Sequence, residues 1–510
     1  MRIAALDLGS NSFHLIVVDA HPDGTFDTLL REKDVLRLAD DVAHLHRITP
    51  EKVEAAIASV SRMRAMGESM DPDEWVVCAT SALREAQNGA EVVEQIEAET
   101  GVGIQVITGL DEAKLIFAAV RASVLLDKPP AVCIDQGGGS LEVSVGDSAG
   151  LVWATSVKLG AARLTAELVT SDPPSAEDIA RVRDRATSVL EPIAAATKRF
   201  RPGMLVATSG TMTSLARLAA GSIASATPNS MHQLTVTAGE LAPVHQNMQT
   251  MALAERKNQP GLDARRADIM PAGSVVLQVA MELFGFDELT VSEWSMREGM
   301  VLDAIGHHDA YEWVDPRSMR RESVHALFRR YGGNEAHAHQ VTRFALAIFD
   351  DIAELHNLAP VDRELLEHAA WLHDIGEHVA IDNHDRHTAY LIEHGRLRGF
   401  PPEEVVMLAS IGRFHRRGTP KPSSYEPMRQ LSDDERERVT RLVAILRIAD
   451  GLDRSHGDAV DVVTAHVRSD RVELEIAGGE DTDLEVWGVR RKRGLFEKVF
   501  GLPVTVLGAD

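Results

Sequence analysis

Among its 510 residues the chain holds two cysteines and 5% aromatic residues, and no stretch approaches the ~18 uninterrupted apolar residues that a membrane helix needs. Cys78 and Cys133 each lie inside an apolar run that reads as a strand. Two buried thiols give no disulfide framework and fit a reducing compartment. The opening MRIAALDLGSNSF lacks the long apolar segment of a signal peptide, because Asp7 and Asn11 interrupt it, so the expected location is the cytoplasm. Positive charge is also scarce: 53 basic residues against 77 acidic ones leave a formal charge of −24. That balance opposes general DNA binding, which requires basic surface to neutralise phosphates. It still allows a phosphate-rich ligand if local basic groups, backbone N–H groups or a divalent cation offset the repulsion. Low-complexity tracts and a solenoid period are missing too. What is present is ordinary for globular protein, 44% hydrophobic and 25% charged residues, in a chain long enough for several domains.

The most informative positive feature is an internal echo. Ala5-Leu6-Asp7-Leu8-Gly9-Ser10-Asn11-Ser12-Phe13 aligns with Cys133-Ile134-Asp135-Gln136-Gly137-Gly138-Gly139-Ser140-Leu141 at a constant offset of 128 residues. Each copy has an apolar strand, an Asp at its end, a small-residue turn and a second strand, 15–18 in one and 141–145 in the other. A duplicated strand–turn–strand unit predicts two similar lobes with a ligand cleft between them. Helical patterns around Pro50–Met66 and Gly89–Thr100, and apolar strands at 75–79 and 204–207, add strand–helix alternation and hence an α/β architecture. After about residue 308 the pattern turns mostly helical and rich in histidine, with amphipathic segments such as Val341–Leu355 and Glu364–His373. From about Ala465 alternation returns and predicts a small strand-rich cap, within which Arg490-Arg491-Lys492-Arg493 reads as a solvated loop.

An Asp at a strand end followed by glycines lets several backbone N–H groups approach an anion closely, since no Cβ intervenes. Its carboxylate becomes favourable beside phosphate if it holds Mg²⁺. One such turn is usually an ordinary hairpin; two in register, plus the run Gly137-Gly138-Gly139, point to a phosphate cradle. Ser209-Gly210-Thr211, between a strand and a helical segment, is a third turn of phosphate type, although Ser and Thr also cap helices.

The motifs Asp7-Leu8-Gly9-Ser10-Asn11-Ser12, Gly109-Leu110-Asp111-Glu112-Ala113, Asp135-Gln136-Gly137-Gly138-Gly139-Ser140-Leu141-Glu142 and Thr208-Ser209-Gly210-Thr211 resemble those of the exopolyphosphatase/guanosine pentaphosphate phosphohydrolase (Ppx/GppA) family. Arg265-Arg266-Ala267-Asp268 and Met296-Arg297-Glu298-Gly299 look like its later landmarks, in the family's order across essentially the whole chain. The resemblance implies two ribonuclease-H-like lobes of the actin/Hsp70/sugar-kinase type at 1–125 and 126–308. Behind them it implies an all-α HD-type domain at 309–465, and the alternation adds a small α+β cap at 466–510. It implies Glu112 as general base, Asp135 and Glu142 around Mg²⁺ (or Mn²⁺), with no organic cofactor, and Arg84 on phosphate. It further implies phosphate contacts from Asp7, Gly9, Ser10, Asn11, Ser12, Gly137, Gly138, Gly139, Ser140, Ser209, Gly210, Thr211 and Arg266. Lys158 and Arg163 flank another landmark. Gln136, Leu141 and Asp111 depart from the family pattern, and Leu141 lacks the hydroxyl usual beside the phosphate loop.

His337, His373-Asp374 and Asp450 have the order and spacing of an HD-type metal set, which His384 and His415 would extend, with His339 as an alternative to His337. The activity implied is Mg²⁺-dependent, processive release of terminal orthophosphate from inorganic polyphosphate. The alternative is the same chemistry on guanosine pentaphosphate (pppGpp). An HD-domain nucleotide phosphohydrolase, an ATP-dependent kinase and a non-catalytic sensor of alarmones or polyphosphate are weaker readings. The resemblance also implies a homodimer, with neither a DNA nor a membrane partner.

Overall fold

Apolar runs at 2–8 and 131–136 become the central strands of two separate sheets, because residues with apolar neighbours on both sides are stable only when covered on both faces. The computed structural model describes residues 1–21, 25–126, 130–223, 228–308, 316–479 and 482–507, so the boundary expected at 308/309 falls at the edge of residues outside this description. The chain divides into two compact units, Met1–Met319 and Arg320–Asp510.

In the first unit, β1 (Arg2–Leu8), β2 (Ser12–Ala20), β3 (Phe26–Val35), β4 (Glu74–Ala79) and β5 (Gln105–Val106) form a sheet of order β3-β2-β1-β4-β5. A second sheet runs β10-β11-β9-β6-β7-β8, from β6 (Ala131–Gln136), β7 (Leu141–Asp147), β8 (Gly150–Val157), β9 (Met204–Thr208), β10 (Thr235–Thr237) and β11 (Glu288–Val291). Both sheets therefore repeat one plan: an antiparallel three-strand meander whose first strand pairs in parallel with a later one. The register repeats as well. Asp7 faces His14 across the first hairpin, and Asp135 faces Glu142 across the second, so the echo extends one cross-strand pair beyond the turns.

Helices Gly89–Thr100 and Pro50–Glu68 form where the pattern predicts them, the latter with Pro50 at its first turn. The second unit is largely helical, with a core built around helices Glu335–Asp351, Pro360–Leu372, Pro402–Phe414 and Asp433–Gly451. The amphipathic segment expected to run to Leu355 breaks at Ile352 and restarts as the single turn Ala353–His356. The last part is mixed rather than strand-rich. β12 (Val460–Val467), β13 (Val472–Gly478) and β14 (Val504–Leu507) form one sheet, with helices Asp483–Lys492 and Gly494–Phe500 inserted before β14. Thus β12 begins inside the stretch expected to be helical. The basic run is no solvated loop: its first three residues end the helix Asp483–Lys492, favourable for cations at a helix C-terminus, and Lys492 pairs with buried Asp450. Among the described residues, no helix is long and apolar enough to cross a membrane.

Candidate active site

The two echoed turns meet face to face. A Cβ built on Gly138 would lie 2.8 Å from Asn11 Cβ, and one on Gly139 would lie 2.5 Å from Ser81 Oγ and 2.8 Å from Ser10 Oγ. Only glycine permits that approach of one lobe's turn to the other. The turns are fixed by local bonds: Gly137 N–H donates to the Ser140 carbonyl, and Ser10 Oγ accepts from Ala82 N–H. Behind the second turn, Ala161 and Arg163 N–H donate to the Gly137 and Gly138 carbonyls. Lys158 and Arg163, which had no assigned role, both reach Glu85 of the first lobe, at 2.7 and 3.0 Å. They pin lobe to lobe at this point. We expect Gly138→Ala to push the turns apart and lower turnover about tenfold or more, because small misplacements of reacting groups are costly. Far-UV circular dichroism should stay unchanged; wild-type kinetics in that variant would show that the close approach is dispensable.

Around these turns, carboxylates crowd together. Asp7 and Asp135 end their strands, Glu142 is the cross-strand neighbour of Asp135, and Glu112 enters from the first turn of helix Gly109–Arg121. Thr108 caps that helix and Asp111, which is half-buried, bonds Thr108 and Lys114, so Asp111 serves the helix end and Glu112 turns inward. Burial pushes Glu112 up to about 8, opposed by Arg84 and reinforced by Asp7 and Asp135. Burial likewise pushes Asp7 up to about 7 and Asp135 up to about 6, and holds Glu142 well above the carboxylate range, with the charges of Glu112 and Asp135 adding to it. So many buried acids on one space have no stable fully ionised state without cations.

Cations are there. Arg84 Nη1 donates to the Ile107 carbonyl at 2.8 Å and lies 3.3 Å from Glu112 Oε2. Arg266, half-buried, lies against Gly210, where a Cβ would come within 2.5 Å of its Cζ, and its charge favours ionised Asp135. Arg297 pulls down both Asp7 and Asp135. Ser209 holds φ at 100°, an uncommon backbone for serine, and its Oγ accepts from the N–H groups of Thr211 and Met212 at 3.2 and 3.3 Å. Its hydroxyl oxygen therefore caps its own helix, leaving Gly210 and Thr211 as the forward part of that turn.

Several contributors carried no assignment in the sequence. Ser295 Oγ donates to Asp135 Oδ2 at 2.6 Å. Arg297 Nη1 sits 3.2 Å from His14 Nδ1, and His14 Nε2 sits 2.7 Å from Ser12 Oγ. Arginine only donates, so His14 Nδ1 accepts, His14 Nε2 carries the proton and donates to Ser12, and the Ser12 hydroxyl hydrogen is left for an anionic ligand. Burial, with Arg297 and Lys33 adding to it, holds His14 far below its usual range and therefore neutral. The constant offset placed His14 opposite Glu142 and was the available signal; Ser295 and Lys33 had none, while Arg297 lay in a recognised motif without a role. Of the departures from pattern, Gln136 donates to the Leu159 carbonyl at 3.0 Å. Leu141 is fully buried in the lobe core, on the opposite face of its strand from Glu142, so no hydroxyl is missing from the turn.

In the second unit, His337 Nε2 is 3.2 Å from His373 Nε2, and Asp374 Oδ2 lies 3.6 and 3.5 Å from these two nitrogens. Asp450 completes the group with His337 and His373. His339 is exposed and packs edge-on to Trp371, so His337 is the converging histidine.

The Ppx/GppA phosphatase family profile matches residues 17–308, and the profile of Ppx/GppA phosphatase domain III matches 319–485. Exopolyphosphatase 1 of Mycobacterium tuberculosis is 33% identical over 344 residues, covering 67% of this chain and 98% of that protein. The crystal structure of an exopolyphosphatase from Cytophaga hutchinsonii matches with a TM-score of 0.57 at 25% identity, over 60% of this chain and 98% of its own. The Aquifex aeolicus member of the Ppx/GppA family matches with a TM-score of 0.53 at 26% identity, over 61% and 99%.

Proposed function

The chain belongs to the Ppx/GppA phosphatase family and is a hydrolase acting on phosphoanhydride bonds, and from that premise we propose that it is an exopolyphosphatase, releasing terminal orthophosphate processively from inorganic polyphosphate. The observation that carries this reading is the facing pair of glycine turns beside three buried carboxylates, Glu112, Asp135 and Glu142, and the half-buried Asp7, with Arg84, Arg266 and Arg297 around them. We read the two sheets as ribonuclease-H-like lobes, a view supported by their shared strand order, and the helical unit as HD-type, supported by its converging histidines and aspartates. The final boundary belongs before Val460, where β12 begins. A cytoplasmic homodimer is carried over from the family resemblance, and sedimentation of the purified chain tests the dimer.

The donor set fits a hard divalent cation. Asp7 Oδ1 is buried without a hydrogen-bond partner, and the acids around it are oxygen ligands of the type Mg²⁺ prefers, with Mn²⁺ the alternative. Asp135 and Glu142 would hold the ion, which supplies Lewis-acid neutralisation of phosphate charge. The remaining steps belong to this chain's own groups. The turns 9–12, 137–140 and 209–211 offer N–H and hydroxyl donors to the end of the anionic chain, and Arg84 and Arg266 grip phosphate oxygens. Water attacks the terminal phosphorus, the bridging P–O bond breaks with its electron pair going to the shortened chain, and Glu112 accepts the proton of the attacking water.

The test is phosphate release from polyphosphate and, at matched concentration, from guanosine pentaphosphate, which presents a similar chain end. Faster release from the polymer supports the reading; faster release from the nucleotide moves it to the alternative substrate.

A pH dependence follows from the same acids. Glu112 must be ionised to accept a proton, yet without a cation it keeps its own up to about 8. At limiting Mg²⁺, turnover should climb as pH rises through that value, and the limb should shift to lower pH as Mg²⁺ saturates. Stability has the opposite sign. A carboxyl raised in the folded state stabilises fully below its unfolded value, near 4.5, and that stability is lost as pH rises through its folded value, about 8 for Glu112. Mg²⁺ should therefore raise Tm more at pH 8.5 than at pH 6; an equal rise at both would contradict the placement of the cation among these acids.

A further inference from the structure

Arg84 stands on a helix of only five residues, Ser81–Glu85, where the two lobes meet. So short a helix has little stability of its own. Both lobes hold it: Ser10 Oγ of the first turn accepts from Ala82 N–H at 2.9 Å, and a Cβ on Gly139 of the second turn would lie 2.5 Å from Ser81 Oγ. Successive helical residues project about 100° apart, so Arg84 and its neighbour Glu85 serve different faces. Arg84 reaches the Ile107 carbonyl and Glu112, both of the first lobe. Glu85 reaches the second lobe, its Oε2 accepting from Arg163 Nη2 at 3.0 Å. We propose that Glu85 is a positioning residue for the hydrolysis described above: by gripping Arg163 it fixes Arg84 against the turn 137–140, so that groups of both lobes bear on one phosphate.

Arg163 is the other half of the link. It is 9% exposed, and its three kinds of N–H group are all engaged. Its Nε donates to the Gly139 carbonyl at 2.9 Å, its backbone N–H to the Gly138 carbonyl at 3.0 Å, and its Nη2 to Glu85. One side chain is thus bonded to the second glycine turn and to the helix of Arg84 at once. The guanidinium is planar and its donors form a rigid fork, so a shift at either end is passed to the other. Between Gly139 and Arg84 stand one carbonyl, one guanidinium, one carboxylate and a single step along the helix. The Ile107 carbonyl and Glu112 orient Arg84 within its own lobe, but neither sets its distance from the second turn.

The charge of Glu85 suits this use. Burial opposes its ionisation, yet the Lys158 hydrogen bond and the charge of Arg163 hold it below the usual carboxylate range. Ser81 Oγ donates to its other oxygen at 2.9 Å, so the carboxylate is held on both sides. Lys158 is 67% exposed and its pair with Glu85 is screened by water, whereas buried Arg163 would otherwise keep only Glu167, at 3.7 Å, as a counter-charge. The weight of the link therefore falls on Glu85 and Arg163.

A double-mutant cycle on the full chain tests the proposal, because a residue that acts through Arg84 matters only while Arg84 is present. The assay uses whichever of polyphosphate and guanosine pentaphosphate the wild type hydrolyses faster, so a preference for the nucleotide would overturn the polyphosphate reading and leave the cycle readable. Glu85→Gln should lower kcat/KM about tenfold, mostly through kcat, since misplacing a group by about 1 Å is costly. In a chain that already carries Arg84→Ala, the same change should cost less than about twofold. Arg163→Lys keeps the charge but loses the fork that joins Gly139 to Glu85, and should repeat both results; it reads the link from the second lobe should Glu85→Gln fail to fold. Equal losses with and without Arg84 would overturn the positioning role and leave a structural ion pair. Wild-type kinetics in Glu85→Gln would overturn it as well.

Discussion

Glu112→Gln is expected to lower kcat on polyphosphate by ~10²–10³-fold while leaving KM within about twofold. Glutamine keeps the side chain's length and can still accept from Arg84, which is anchored independently by the Ile107 carbonyl. What it removes is the capacity to take a proton. The substituted site also carries one fewer acid, and since Glu112 is among the charges that hold Glu142 high, Glu142 should ionise more readily. Cation affinity in the variant should therefore be maintained at a given neutral pH, separating a lost base from a lost metal ligand. Steady-state kinetics with Mg²⁺ titrated at fixed pH make the distinction. Turnover equal to wild type would falsify the role given to Glu112.

Asp135→Asn should abolish most of the response to Mg²⁺, with a loss of about 10²-fold or more at saturating cation, the several kcal/mol that a bound metal contributes to phosphoryl transfer. The amide preserves shape, and its oxygen can still accept from Ser295 Oγ, now 2.6 Å from Asp135. A purely structural role would therefore be largely spared. A second signature is electrostatic. Asp135 raises both Glu112 and Glu142, so its neutralisation should move the acid limb of whatever activity remains to lower pH. An unchanged Mg²⁺ activation curve, with the limb unmoved, would remove Asp135 from the metal set.

Much of the first unit was legible because its chemistry is written in short, contiguous segments. A strand, an Asp and a glycine turn need only a dozen residues to declare themselves, and the copy 128 residues on shows that the pattern is no accident. The helix carrying Glu112 is equally local in origin, since Thr108 accepts from Asp111 N–H at its start. The misreadings were local too. Val460–Val467 opens a sheet inside a stretch judged helical, because its pairing with Val472–Gly478 outweighs the helical texture before it. Arg490–Lys492 read as loop, yet the segment is helical and Lys492 reaches a buried carboxylate from another helix.

The sequence by itself determined that the chain has two glycine-turn hairpins of one design and a histidine-rich helical region behind them. It also determined the family, since those motifs sit at contiguous positions in a fixed order. Only the tertiary structure decided that the turns face each other across Gly138 and Gly139, and that Arg297 fixes the His14 tautomer and so orients Ser12. It alone decided that Ser295 holds Asp135 and that Asp374 stands between two histidine pairs. The physical reason is range. Propensity and periodicity act over a few residues, whereas hydrogen bonds and buried charges are settled between groups tens to hundreds of positions apart that packing alone brings within 3–4 Å.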